Sequence, residues 1–302
     1  IKRRPDFQLE HRDVLHFINF SEKTIKLGTE VYELTDFQAP TVNPEQPESL
    51  TAEEEKIISH LLNNFRSSDK LKRHVEFLQE KGAMYLSYNG NLLIHGCLPL
   101  HENGDFKSFT VNKEAHAGRD LLDFFDQEVR KCLAHPENST DLATDLMWYL
   151  WVGECSSLFG KTAMTTFERY YIKDKNTHVE KKNPYYQLRE EAEIIRKILE
   201  NFGLDEEGHL VNGHTPIKEK NGENPIKADG KLIVIDGGFA KAYQKETGIA
   251  GYTLLYNSFG IQLVAHQPFS TVKEAVEKGT DIISLKRLVA EVDQRKRVIC
   301  IL

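Results

Sequence analysis

Asn91-Leu-Leu-Ile-His-Gly-Cys-Leu-Pro99 is an apolar run that delivers a histidine and a glycine to its end. It reads as a buried strand with a ligand at its tip. Just upstream, Ala83-Met-Tyr-Leu-Ser-Tyr is a second strand-like run, and Asn89-Gly90 between the two is a strong hairpin-turn signal. His95 is therefore predicted at the end of the second strand of a hairpin. Leu210-Val-Asn-Gly-His-Thr-Pro216 repeats the design, with Gly213 closing a short apolar run and His214 following at once. Either histidine alone reads most simply as a hydrogen-bonded structural residue. Together the two strand-end pairs look like half of a metal site. Imidazole suits zinc, manganese or iron, and an adjacent glycine lets backbone, metal and substrate oxygens approach closely.

Residues Ile1 to Pro47 are polar and broken by prolines, with a short alternating run at Thr24 to Leu34 that fits a hairpin. Thr51, with Glu54 three residues on, offers a capping box for a helix carrying Ile57, Ile58, Leu61 and Leu62. A second helix is predicted from Ser68 to Lys81, ended by Gly82, and both helices should pack on something. Further helices are predicted from about Arg119 to Leu133, from near Asp141 into Met147-Trp-Tyr-Leu-Trp151, and from Asn183-Pro184 through Ile194, Ile195, Ile198 and Leu199. Trp148, Tyr149 and Trp151 follow the helical pattern and are expected in the core. Lys231-Leu-Ile-Val-Ile-Asp-Gly-Gly238 reads as a buried strand with a turn after it, and Tyr252 to Val264 as two strands around a turn at Asn257 to Gly260. Helices alternating with strands, with the chemistry at strand ends, indicate an α/β fold.

The chain has 302 residues, 40% of them hydrophobic and 28% charged, which is ordinary for a globular protein able to bury a sizeable core. A net charge of -7 provides no general attraction for nucleic acid or acidic membranes, so an anionic ligand must be held by local cations or metal. No apolar run reaches the roughly 20 residues that span a bilayer, and no signal-peptide pattern opens the chain; a cytoplasmic location is expected. Cys97, Cys132, Cys155 and Cys300 are widely spaced and expected to be reduced and mostly buried. The chain begins at Ile1 in the middle of charged sequence, as a piece of a longer protein would.

Leu-Ile-His95-Gly followed far downstream by Gly-His214-Thr-Pro resembles the two late motifs of calcineurin-like metallophosphoesterases. The wording around them is closer to one family. Phe65-Arg-Ser-Ser-Asp-Lys-Leu, Met84-Tyr-Leu-Ser-Tyr-Asn-Gly-Asn-Leu-Leu-Ile-His-Gly-Cys, Asp145-Leu-Met-Trp-Tyr-Leu-Trp and Leu158-Phe-Gly-Lys carry the resemblance through the first half. Thr166-Phe-Glu-Arg-Tyr, Lys182-Asn-Pro-Tyr-Tyr, Ile235-Asp-Gly-Gly-Phe, Thr247-Gly-Ile-Ala-Gly-Tyr-Thr-Leu and Arg295-Lys-Arg-Val continue it. All are similar to class 3 bacterial fructose-1,6-bisphosphatase, over nearly the whole chain.

The resemblance implies hydrolysis of fructose 1,6-bisphosphate to fructose 6-phosphate and phosphate in gluconeogenesis, with two manganese ions as cofactor and His95 and His214 as ligands of the same metal. It also implies a metallophosphoesterase-like β-sandwich flanked by helices. The family's early motifs, Asp-x-His, Gly-Asp-x-x-Asp-Arg-Gly and Gly-Asn-His-Asp or Glu, do not occur here. The expectation is therefore an incomplete sandwich, with residues 1–82 a polar segment and helices from the middle of a longer chain. Residues 83–302 would be the C-terminal half of the metallophosphoesterase domain, with a mostly helical insertion around 115–205. The catalytic residues are expected upstream of Ile1, and this chain alone is expected to be inactive.

Lys161, in the loop after Ser156-Ser-Leu-Phe-Gly, and Arg169 are candidates for a substrate phosphate, because a cation in a Gly-punctuated loop and a bidentate guanidinium both suit that anion. Their plainer readings are a solvated lysine and an arginine paired with Glu168 or a neighbouring helix. Asp236-Gly237-Gly238 reads as a turn, His101, His116 and His266 as structural or exposed, and Glu190 to Glu193 as a solvated helix face. Two other functions fit the same residues: a related phosphatase acting on phosphoproteins or dinucleotide polyphosphates, and a non-catalytic binding or assembly module that kept two histidines. A homo-oligomer is compatible with the first reading as with these.

Overall fold

The structure, a computed structural model, describes residues 1–238, 240–249, 251–257, 260–266, 271–279 and 285–290. Cys300, the Arg295-Lys-Arg-Val298 stretch and the two central residues of the Asn257 to Gly260 turn lie outside them. The chain divides into two compact units, Ile1–Met84 with Lys107–Asn183, and Tyr85–Phe106 with Pro184–Leu302. The segment around 115–205 is thus shared, its first part belonging to one unit and residues from Pro184 to the other.

In the first unit, β1 (Ile18–Asn19), β2 (Thr24–Leu27) and β3 (Glu30–Glu33) form a three-stranded antiparallel sheet. The alternating run at Thr24 to Leu34 is the β2–β3 hairpin. Its inward residue Ile25 is fully buried in a cluster with Ile18, Leu34, Phe37 and Ile172. The stretch before it is more ordered than its polar composition suggests: a short 3-10 turn carries Phe7, and the residue before the next turn is Leu9, both in the core at 3% and 2% exposure.

Helices α1 (Ala52–Arg66) and α2 (Asp69–Lys81) start where the sequence predicts. Thr51 Oγ1 accepts from the Glu54 N–H while Glu54 Oε2 accepts from the Thr51 N–H, which is the reciprocal capping box. Ser68 caps α2 in one direction only, its Oγ accepting from the Leu71 N–H. Their apolar faces are a different matter. No residue of either helix is buried, and Ile57, Ile58, Leu61, Leu62, Phe65, Phe77 and Leu78 are exposed. Caps and propensity start a helix, but they do not supply the surface that covers it.

The chain next forms β4 (Tyr85–Tyr88) and β5 (Asn91–Ile94) of the second unit, then returns to the first with β6 (Phe109–Val111), β7 (Glu114–His116), α3 (Gly118–Ala134), α4 (Leu142–Val152) and α5 (Thr166–Tyr171). The β6–β7 hairpin escaped the sequence pattern because Asn112 and Lys113 both turn through positive φ, and lysine is not a turn signal there. Helix α3 buries Leu121, Leu122 and Phe125, and α4, capped by Asp141, buries Ala143, Leu146, Tyr149 and Leu150. Tyr149 packs against Phe7 and Phe109, with ring centroids 4.9 and 4.5 Å away. Trp148 and Trp151, expected beside it in the core, are instead 39% and 68% exposed. They share a second stripe of α4, three residues apart, on the side away from Tyr149.

The second unit continues with α6 (Tyr185–Leu188), α7 (Ala192–Asn201), β8 (Leu210–Asn212), β9 (Ile226–Lys227), β10 (Leu232–Val234) and α8 (Lys241–Thr247). It closes with β11 (Gly251–Asn257), β12 (Gly260–His266), α9 (Val272–Lys278) and β13 (Leu285–Ala290), whose strands form an antiparallel sheet in sequence order. The helix predicted after Pro184 is two helices. Glu191 adopts extended backbone between them and Arg189 turns inward to 3% exposure. The central sheet has the order β4-β5-β8-β10-β9, with β5, β8 and β10 parallel and the outer strands antiparallel. Its middle is mostly apolar: Leu92, Leu210, Leu232, Ile233 and Val234 are all inaccessible. Each such side chain contributes about 2 kcal/mol of burial free energy, which holds these short strands in register. The protein is a mixed α/β structure with several sheets, and no helix among the described residues is long and apolar enough to cross a membrane.

Candidate metal site

The β4–β5 hairpin turns through Asn89 and Gly90, at φ of 50° and 74°, the left-handed pair that a two-residue turn demands. β5 then runs parallel to β8 with Ile94 opposite Asn212, so both strands finish at one level. His95 follows the first and Gly213-His214 the second. Carboxyl ends of parallel strands are where open α/β sheets place their ligands.

His95 Nε2 and His214 Nδ1 approach to 3.1 Å, with the rings nearly edge to face at 4.9 Å. The Gly213 N–H donates to the His95 carbonyl at 3.0 Å, which closes the backbone between the two rings. A side chain at Gly213 would bring its Cβ to 3.2 Å from that same oxygen, a tight contact that the His95 backbone would have to yield to. His214 itself has φ +64°, a left-handed conformation costing a side-chain-bearing residue about 1–2 kcal/mol. Strain held at a strand end is a common mark of a functional position.

A 3.1 Å separation is first of all a hydrogen bond in which one ring nitrogen donates and the other accepts. It also suits a divalent ion: two nitrogens bound about 2.1 Å from one ion at near right angles stand roughly 3 Å apart. The pair therefore fits a metal, but only as part of a coordination sphere. Among the described residues no group of three or more His, Cys, Asp or Glu side chains is gathered for an ion.

Sequence reasoning missed the residues beneath the pair. Asn212, the last residue of β8, is 1% exposed, and its Nδ2 donates to the carbonyls of Gly96 at 2.6 Å and His95 at 3.2 Å. Its Oδ1 accepts from Tyr185 Oη at 3.0 Å and from Arg189 Nη1. The signal was present: a buried amide closing the run Leu210-Val211 must find partners, and those partners define its surroundings. Burial pushes the Tyr185 hydroxyl far above its ordinary value, so it stays a neutral donor.

Lys161 and Arg169 are brought together in the first unit, both on Glu180 Oε2, at 2.5 and 3.2 Å. Burial raises the Glu180 pKa, but Lys161, the Thr165 N–H and Arg169 outweigh it and hold the carboxyl below its usual range. Glu168, a suggested partner for Arg169, is taken instead by Arg12 at 2.6 Å. Asp236 makes the expected turn, its Oδ1 accepting from the Gly238 N–H at 2.9 Å. His116 stacks on Phe124 and binds Asp120, and His266 meets Thr253. Cys97 and Cys155 are buried and Cys132 is partly exposed, and none of the three is in a disulfide among the described residues.

Two imidazoles thus converge at the carboxyl ends of parallel strands, over a buried amide, in a mixed α/β protein. The family follows from comparison: the model of Firmicute fructose-1,6-bisphosphatase matches residues 1–299, and the chain belongs to that family. It is 98% identical over 298 residues to the class 3 fructose-1,6-bisphosphatase of Lactococcus lactis subsp. lactis, covering 99% of this chain and 47% of that protein. The corresponding protein of L. lactis subsp. cremoris is 89% identical over the same shares. That of Streptococcus agalactiae is 54% identical, covering 98% of this chain and 46% of its own length. The chain thus spans about half the length of the curated relatives it matches. No solved structure matches it.

Proposed function

We propose that this chain is the part of a fructose-1,6-bisphosphatase that supplies two imidazole ligands to a two-metal phosphate-hydrolysing centre. The observation that carries the reading is the 3.1 Å convergence of His95 Nε2 and His214 Nδ1 at adjacent strand ends, in a chain of this family. The other ligands and the proton donor would come from the part of the relatives that this chain does not span. Manganese is the ion we favour, and a metallophosphoesterase-like sandwich the fold the whole protein would complete. When bound, divalent ions supply the charge that neutralises the phosphate oxygens during in-line displacement by water.

His95 and His214 act as neutral ligands in this scheme, and their glycine neighbours leave room for phosphate oxygens. Lys161 and Arg169, gathered in advance by Glu180, are the cations we assign to a substrate phosphate. The reaction converts fructose 1,6-bisphosphate and water to fructose 6-phosphate and phosphate, in the cytoplasm. Two imidazoles alone hold one ion weakly and no pair, so the 302-residue chain by itself should release no phosphate.

The test is phosphate release by the complete protein with manganese present. His95→Ala and His214→Ala should each lower kcat/KM by about 100-fold or more, since even partners behind a ligand cost 10–100-fold. Parental rates in both variants would remove the two histidines from the centre.

A further inference from the structure

Beneath the histidine pair lies a polar cluster more costly than a strand end requires. Arg189 is 3% exposed, and its guanidinium faces a neutral amide and two aromatic rings, Tyr186 at 5.0 Å and Tyr185 at 5.9 Å, with the Glu223 carboxylate near enough to feel its charge. Its Nε is buried and has no hydrogen-bond partner among the described residues. A buried cation in such surroundings is less stable than a hydrocarbon of the same shape, so its presence calls for another reason.

We propose that Asn212, oriented by Tyr185 and Arg189, is the positioning residue that sets the approach of His95 to His214. The inference rests on the metal reading of that pair. Asn212 cannot turn over. Its oxygen takes two donors and its nitrogen gives to carbonyls, so a flipped amide would set oxygen against oxygen and N–H against N–H. Its main chain is equally fixed, by register with Ile94 and by the Ile235 N–H donating to its carbonyl at 3.0 Å.

The consequence lies at His95. Its carbonyl receives both the Asn212 side chain, at 3.2 Å, and the Gly213 N–H, at 3.0 Å. Two consecutive residues directly before His214 therefore grip the backbone of His95. What freedom remains to the pair is side-chain rotation. The guanidinium sharpens the grip by polarising the amide: charge on the oxygen side strengthens donation from the nitrogen side in a buried site. The amide hydrogen bonds of Asn212 run to main-chain carbonyls, Tyr185 and Arg189, so its role is to place the ligands.

The experiment uses the complete protein and titrates Mn2+ while following the free ion by electron paramagnetic resonance, with a denaturation midpoint recorded for every variant. Asn212→Ala should weaken Mn2+ binding about 10–100-fold, and Tyr185→Phe, which removes one donor to the amide, by a few-fold at an unchanged midpoint. His95→Ala is the control. If it loses affinity while Asn212→Ala and Tyr185→Phe stay within twofold of the parent, the positioning role is overturned and the metal reading stands. If His95→Ala binds Mn2+ like the parent, the metal reading fails and takes the inference with it. Should Asn212→Ala not fold, Tyr185→Phe decides alone.

Discussion

Ile94 and Asn212 are register partners in a parallel strand pair, and the residues that follow them, His95 and Gly213-His214, leave the sheet at one level. Neither histidine has to reach for the other. The cost of the meeting is concentrated in one backbone angle, the +64° φ of His214, and in the glycine before it.

That concentration predicts an opposed pair of effects. His214→Gly removes an imidazole and also the left-handed strain of about 1–2 kcal/mol, against which glycine's extra freedom in the unfolded chain costs about 0.4–1 kcal/mol. Urea denaturation should therefore show a variant as stable as its parent or slightly more so, while phosphate release by the complete protein collapses. A clear drop in stability would show that the ring's contacts, not its backbone, dominate at this position.

His209 predicts a pH dependence. Its Nδ1 and its N–H both meet Asn91 Oδ1, each at 3.1 Å, one residue before β8 begins. Burial, with help from Lys231 and against Glu207, pushes its pKa below the ordinary 6.5. Between the lowered value and 6.5 the unfolded chain carries a proton that the folded chain does not. Stability from this residue is thus present above 6.5 and lost as the pH falls through that window. The denaturation midpoint of the parent should fall relative to His209→Gln on acidification from about pH 7.5 to 5. Parallel curves would count against it.

Much of this was legible before any coordinates. Asn89-Gly90 named its turn, Thr51 with Glu54 named a helix start, and the two His-Gly signals marked strand ends because each is a local rule needing no distant partner. What stayed hidden depends on neighbours remote in sequence. Nothing near Trp148 says which stripe of α4 faces Phe7 and Phe109. Nothing near Pro184 says that Arg189 will break the helix to reach Asn212, which is 23 positions on. Lys161 was visible as a loop cation, but Glu180, which holds it together with Arg169, was not.

The open faces of α1 and α2 predict a property of the 302-residue chain on its own. Ile58, Leu61, Leu62 and Phe65 lie within two turns of one helix at 46–65% exposure, and contiguous apolar surface of that kind binds hydrophobic dyes or associates. The isolated chain should enhance the fluorescence of an anilinonaphthalene sulfonate probe, and Leu62→Glu with Phe65→Glu should reduce it without lowering the denaturation midpoint, because neither residue is packed. Unchanged fluorescence would place the apolar surface elsewhere.

Glu180 gives the sharpest separation of stability from catalysis. With its side chain 10% exposed and two cations on one oxygen, Glu180→Gln should cost about 1–3 kcal/mol at neutral pH. Because the folded carboxyl lies below its usual 4.5, the stability it provides is complete above that value and fades as acid protonates it. Parent and variant should therefore draw together in urea midpoint as the pH falls below 4.5. Lys161→Met carries the catalytic half of the argument. In the complete protein it should raise KM for fructose 1,6-bisphosphate several-fold with kcat nearly unchanged, as loss of a substrate-phosphate contact does. A lowered midpoint with KM unmoved would leave Lys161 as the partner of Glu180 alone, and the phosphate would have to find its cations elsewhere.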